Sequence, residues 1–251
     1  MIGKKLTAHV IARAMHFRPK QSPRCDGDCF VAKNKSAPRN DIFLFLLSSF
    51  LLFSCSTNPP QSPTPQVVSV HSSSAAEPWL SELYDCAAGH SNVALSRVDD
   101  PHVAEIALQI GEPAVLSSFA YQIDTEEILI VTHRQSPIQN LTLEEARALF
   151  MGLGDPAVQV WVYASDADVQ RVFDQFVMEG RSVMSSALIA VNPQQMSDTL
   201  VNQPNTVGIL PRHWKAGDSR EVFAVATVPV LALTESEPQG VILDLISCLQ
   251  K

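Results

Sequence analysis

Glu127-Ile-Leu-Ile-Val-Thr132, then Asn140-Leu-Thr-Leu-Glu-Glu-Ala-Arg-Ala-Leu-Phe-Met-Gly152, then Val158-Gln-Val-Trp-Val-Tyr-Ala164 are the consecutive segments that decide how the chain reads. The first is a continuous apolar run, suited to a strand buried on both faces. The second opens with Thr142-Leu-Glu-Glu145, where a threonine and a glutamate three residues later can satisfy each other's backbone N–H groups, and the spacing predicts a helix to Phe150. The third alternates and ends in aromatic residues, a strand again. Strand, helix and strand in this order form the repeating unit of a parallel sheet covered by helices.

The same alternation continues on both sides. Upstream, Val67–His71 is a β-branched run. Ser74-Ala-Ala-Glu77 has the capping-box pattern and precedes Trp79, Leu80, Leu83, Tyr84 and Ala87 at helical spacing, with Gly89 as the stop. Asn92–Ser96 reads as a strand. Pro101 opens a predicted helix carrying Val103, Ile106, Ala107 and Ile110, ended by Gly111, and Ala114–Ser118 is strand-like. Downstream, Ser165-Asp-Ala-Asp168 opens a helix whose Val169, Val172, Phe173, Phe176 and Val177 share one face. A helix near Pro193–Val201 leads to a strand at Thr206–Leu210. Val222–Leu233 is strand-rich, and Pro238–Leu249 forms a last helix with Ile242, Leu245, Ile246 and Leu249 inward. The expected class is α/β, with mainly parallel sheets flanked by helices. The length suits two modest lobes.

Charge divides the chain sharply. Residues 1–54 hold nine Lys/Arg and three Asp/Glu and carry +6; the remaining nine basic and 23 acidic residues carry −14. An acidic folded part argues against nucleic-acid binding, which needs a basic footprint. Ile42–Phe53 is an apolar run preceded by Lys33, Lys35 and Arg39, the layout of an export signal, and too short to span a bilayer. The run ends Leu52-Phe53-Ser54-Cys55, similar to a lipobox, in which the cysteine is lipidated; Phe53 departs from the usual small or β-branched residue. Four prolines among the eleven residues after Cys55 make an extended tether. The expected organisation is a basic preface at 1–30, a lipoprotein signal at 31–54, a tether at 55–66 and a folded domain at 67–251, anchored by Cys55 outside the cytoplasmic membrane. The competing reading of the apolar run is an uncleaved anchor or a buried helix. The preface is long for a signal, which fits translation starting near Val31; recovery of peptides from residues 1–30 would contradict that. Cys25 and Cys29 lie in the preface without a second ligand pair, so no metal is expected.

The deciding segments also resemble a known family. An apolar strand, a helix opened by Asn140-Leu-Thr142 and closed before Gly152, and a Trp-containing strand resemble the phosphate-type solute-binding proteins of ABC transporters. Asn205-Thr-Val-Gly-Ile-Leu210 is similar to a glycine-containing strand of that family, and Ala226-Thr-Val-Pro229 to its return towards the first lobe. The resemblance implies a two-lobed, type 2 periplasmic-binding-protein fold, lobe 1 at about 67–120 and 222–251 and lobe 2 at about 127–210. It implies a monomer that holds phosphate or another small oxyanion in a cleft and delivers it to an ABC permease, with no cofactor.

Such ligands are gripped by hydroxyls and by N–H groups at helix starts, where orphan donors and the helix dipole favour an anion. Three places here have that form: His71-Ser72-Ser73-Ser74 after the first strand; Ser117 and Ser118 after the third; and Ser165 with Asp166 before the amphipathic helix. Each also has a plainer reading, Ser74 and Ser165 as helix caps and the others as loop serines. Arg134, after the buried strand, is a further candidate that also reads as a solvated loop arginine. The third place departs from the family, which carries Ser-Gly-Thr there; this chain has Ala164-Ser-Asp-Ala-Asp168. Two carboxylates at that position repel a dianion. They fit a monoprotonated oxyanion, a cationic ligand, or a lipid-anchored interaction or sensor protein that kept the fold and lost the ligand chemistry.

No Gly-x-Ser-x-Gly, His-Glu-x-x-His or Gly-rich phosphate loop is present, so an enzyme reading is left only with a hydrolase site assembled in space. In the implied fold, Cys86 and Cys248 end two helices of one lobe, and an oxidising compartment permits a disulfide between them; the alternative is two buried thiols.

Overall fold

The computed structural model describes residues 65–113 and 119–251. Cys55, the expected export segment, nearly all of the expected tether, the expected strand at Ala114–Ser118 and the candidates Ser117 and Ser118 lie outside the described residues.

The described residues form eight strands and five α-helices: β1 Gln66–Ser72, α1 Glu77–Ala88, β2 Val93–Arg97, β3 Ile106–Ile110, β4 Phe119–Thr132, α2 Leu143–Phe150, β5 Gln159–Val162, α3 Asp168–Phe173, β6 Leu188–Ile189, α4 Pro193–Asn202, β7 Thr206–Pro211, β8 Arg220–Thr234 and α5 Val241–Leu249. The strands lie in one sheet, in the order β2-β1-β3-β8-β4-β7-β5-β6. Its flanks are parallel, β1 with β2 and β3, and β5 with β6 and β7. Its centre is antiparallel, because β4 and β8 pair along nearly their full lengths.

That central ribbon organises everything else. β3 pairs with the end of β8 from Val230 to Leu233, whereas β7 pairs with the end of β4 from Ile128 to Thr132. The sheet therefore has two halves, β2-β1-β3 and β7-β5-β6, carried on opposite ends of one two-stranded crossover. Register shifts between Gln122 and Asp124, Ile128 and Leu129, and Ile130 and Val131 bend the ribbon along its length. The apolar run that opened the sequence reading sits at its centre: Ile128, Leu129, Ile130 and Val131 are fully buried. At about 1.5–3 kcal/mol per fully buried aliphatic side chain, these four residues are a substantial part of what holds the ribbon in place.

α2 starts with the expected capping box: Thr142 Oγ1 accepts from Glu145 N–H at 3.3 Å, and Glu145 Oε2 accepts from Thr142 N–H at 2.8 Å. α1 and α5 pack against each other and are joined by a disulfide between Cys86 and Cys248, with Cα atoms 6.1 Å apart. Closing so long a loop in the unfolded chain stabilises the folded state by about 2–4 kcal/mol.

Four local expectations are corrected. The helix expected from Pro101 is a single 3-10 turn, Pro101–Val103, and Ile106–Ile110 is strand β3. β3 lies between β1 and β8 with only Gln109 partly exposed, so it has no polar alternation to distinguish it from a helix. The box expected at Ser74–Glu77 does not form; Ser73 is the cap, its Oγ accepting from Ala76 N–H across a 3-10 turn before α1. Ser165 does not cap α3, whose N-cap is Ala167. Phe176 is exposed rather than inward, because α3 passes into a π-turn over Asp174–Met178 that shifts the helical phase.

Candidate functional site: a cleft with a carboxylate in it

A cavity of about 580 Å³ opens where the two halves face each other. One half supplies His71, Ser73, Ser74, His102 and Gln109, from the ends of β1 and β3 and the turn between β2 and β3; the other supplies Asp166, Asp168 and Arg171, from the β5–α3 junction. Open α/β sheets bind ligands in this kind of crevice, beyond the carboxyl ends of their strands.

Of the residues chosen from sequence, Ser73, Ser74 and Asp166 line the cavity. Ser72 is buried and its hydroxyl donates to the Ser73 carbonyl, so it supports the turn and does not line the cavity. Ser165 is exposed beside the cavity without lining it. Arg134 is not brought to the cleft at all. It follows the far end of β4, pairs with the exposed Asp218 and accepts a bond from Arg220 at its own carbonyl.

Asp168 was read from the sequence as one of two carboxylates at a helix start, but not as a candidate ligand-binding residue. Asp168, the first residue of α3, is buried at 5% exposure. Its carboxylate reaches across to the other half. Oδ2 accepts from Ser73 Oγ at 2.5 Å and from the Ile110 N–H at 3.0 Å, and Oδ1 accepts from the Val169 N–H at 2.8 Å. The Ser73 hydroxyl, accepting from Ala76 N–H, has its proton directed at Asp168. A carboxylate with three such donors is well compensated for burial. Its charge is felt nearby: burial first, and Asp168 second, hold the Tyr163 phenol well above its ordinary range, so Tyr163 stays neutral. The close approach is permitted by Gly111, at φ +73°, where an added Cβ would stand 2.9 Å from Val172 Cγ2 of α3.

Arg171 and His102 were not anticipated, whereas His71 leads the first serine cluster read from the sequence and does line the cavity. Arg171 donates to the Asp166 carbonyl at 2.6 Å, and His71 Nδ1–H donates to the Val98 carbonyl at 3.2 Å. The only sequence signal for Arg171 was its position one turn after Asp168. Asp166, Asp168 and Glu235 set three carboxylates on the cavity wall against one guanidinium.

A second contact joins the halves. The turn Arg212–Trp214 follows β7 and docks on the α1 region: Trp214 Nε1–H donates to the Ala75 carbonyl at 2.9 Å, and the His213 ring lies 4.6 Å from that of Trp79. The ribbon holds these groups with Glu126, 1% exposed, which accepts from Arg212 N–H and pairs with His213 Nδ1, and with Asp124, which accepts from Trp79 Nε1–H.

No protein-family model and no curated protein sequence matches the chain. Solved structures do. A Clostridium perfringens protein solved with bound phosphate, and described as a phosphate ABC transporter substrate-binding protein, aligns with a TM-score of 0.66 at 14% identity over 73% of this chain and 93% of its own. An ABC-type phosphate transport receptor from Vibrio cholerae aligns with a TM-score of 0.57 at 17% identity, over 74% of this chain and 94% of its own. The regulatory domain of CcmR from Synechocystis PCC6803, in complex with 2-PG, aligns with a TM-score of 0.58 at 7% identity over 73% and 95%. At these identities the likeness is one of fold: the chain has an α/β, two-lobed, periplasmic-binding-protein-like (type 2) fold.

Proposed function

We propose that the chain is a lipid-anchored, extracytoplasmic solute-binding protein that presents a small polar solute to an ABC permease. The observation that carries this reading is the cavity between the halves, placed where the fold binds ligands and lined by hydroxyl, imidazole, amide, carboxylate and guanidinium groups. The lobes assigned from sequence, about 67–120 with 222–251 and about 127–210, are the two bodies that would close on the solute by hinge motion at the β4–β8 ribbon. Cys55 and the Pro-rich tether support the membrane-side role. Phosphate is disfavoured as the solute, since three carboxylates stand on the cavity wall and one already takes the donors of Ser73 and Ile110. A solute carrying a proton or a positive charge towards Asp166 and Glu235 suits the cavity better.

A ligand stabilises the folded chain by RT ln(1 + [L]/Kd), so thermal unfolding against a panel of phosphate, sulfate, molybdate, amino acids, polyamines and small sugars tests the reading. A saturable rise in midpoint with a cationic or zwitterionic member is expected. A flat response across the panel would contradict it. That outcome would favour the second reading, a sensor or interaction protein with a spent cleft, to which the part-buried Asp168–Ser73 bond already lends weight.

A further inference from the structure

The donor set around Asp168 is that of an anion site, and the anion in it belongs to the chain. We propose that Ser73 Oγ and the Ile110 N–H form an oxyanion seat filled by the Asp168 carboxylate. The unsubstituted chain then takes no free oxyanion at this position, and shortening Asp168 opens the seat to small carboxylates.

Three observations carry this. The carboxylate comes from the opposite half of the molecule and from 95 residues away, so the contact is not a local turn. Asp168 is buried, and Ser73, Ile110 and Val169 leave both of its oxygens hydrogen-bonded, as a bound ligand's would be. The Ser73 hydroxyl accepts from Ala76 N–H as the cap of the 3-10 turn before α1, which leaves its proton for an acceptor outside that turn. The Ile110 amide is buried and the Ser73 hydroxyl partly so, and leaving them without this acceptor is costly, so an emptied seat has an affinity for a carboxylate of fitting size. Asp168→Ala removes one carboxylate group, and formate is the ion that replaces it.

The proposal rests on this geometry and not on the solute reading above, and the two fail separately. Thermal unfolding of the full chain, of Asp168→Ala, of Asp168→Asn and of the Ser73→Ala/Asp168→Ala double variant is followed against sodium formate, with sodium chloride at equal ionic strength as the control. The expected result is a saturable rise in midpoint for Asp168→Ala alone, with an apparent affinity about tenfold or more above that of the other three. Asp168→Asn keeps the seat filled with a neutral amide and is expected to stay flat. An equal response of all four chains, a flat Asp168→Ala, or an Asp168→Asn that responds like Asp168→Ala would overturn the proposal. Should Asp168→Ala refold poorly, its soluble yield from formate and from chloride reads the same question: recovery in formate alone supports the seat, and equal failure in both overturns it.

Discussion

Two strand-to-helix junctions face the same cleft, and they are opposites. At the β1–α1 junction, Ser73 caps a 3-10 turn and turns its hydroxyl outward as a donor. At the β5–α3 junction, the N-cap is Ala167, which has no side-chain acceptor to offer, and the first helical residue, Asp168, projects its own acceptor across the cleft. If both junctions were donors, an exogenous anion would be needed to bring them together. One donor and one acceptor need nothing. The position that charge and hydrogen bonding would reserve for a ligand is complementary to the protein itself, and on the proposed function a solute is left with the remaining wall.

This contrast can be broken in graded ways. The largest effect is expected from Asp168→Ala. It removes charge-assisted hydrogen bonds and strands Ser73 and Ile110, which should cost about 2–4 kcal/mol in urea unfolding, with much of the loss recovered in formate. Gly111→Ala should follow at about 2 kcal/mol, since a side chain at positive φ is strained and its Cβ meets Val172, so that α3 must retreat from β3. Because α3 carries Asp168, this variant is also expected to respond weakly to formate, which separates distance from charge as the cause. Trp214→Phe should cost about 1 kcal/mol through the lost bond to Ala75, and should leave the formate response of the chain flat, because that contact joins the halves without using the seat.

The smallest effect comes from a cap of the same kind placed elsewhere. Thr142→Ala is expected to cost about 1 kcal/mol with no change in anion response. It has a pH signature. Hydrogen bonds from the Thr142 backbone, and then from its side chain, hold the Glu145 carboxyl below its ordinary range. A carboxylate depressed in the folded state adds stability that is complete above its unfolded pKa and is lost as pH falls through the folded one. Thr142→Ala removes only the side-chain part, so its stability should fall less steeply than that of the unsubstituted chain on acidification.

The fold was legible where one physical signal dominated. Glu127–Thr132 announced a strand buried on both faces, and the Thr142–Glu145 pair announced the start of α2. It was illegible where two signals coincide. Ile106–Ile110 is apolar at nearly every position, which suits a central strand as well as a helix, and Pro101 made the helix reading attractive. The full length of β4 was hidden because Phe119–Glu126 is mostly exposed and polar-rich, and is held as strand by β8. Ser73 and Ser74 were legible as hydroxyls after a strand. That Asp168 joins Ser73 was not, because a hydrogen bond between residues 95 apart is a product of the whole topology. Carboxylates where the resembled family carries Ser-Gly-Thr were visible in the sequence, and the structure shows what one of them, Asp168, is bonded to.

A crystal structure of the Asp168→Ala chain grown in formate tests the central claim most directly. A formate ion is expected within hydrogen-bonding distance of Ser73 Oγ and the Ile110 N–H, with the halves arranged as in the unsubstituted chain. A vacant position between those donors in an otherwise unchanged cleft, or another side chain of the protein folded into it, would contradict the account.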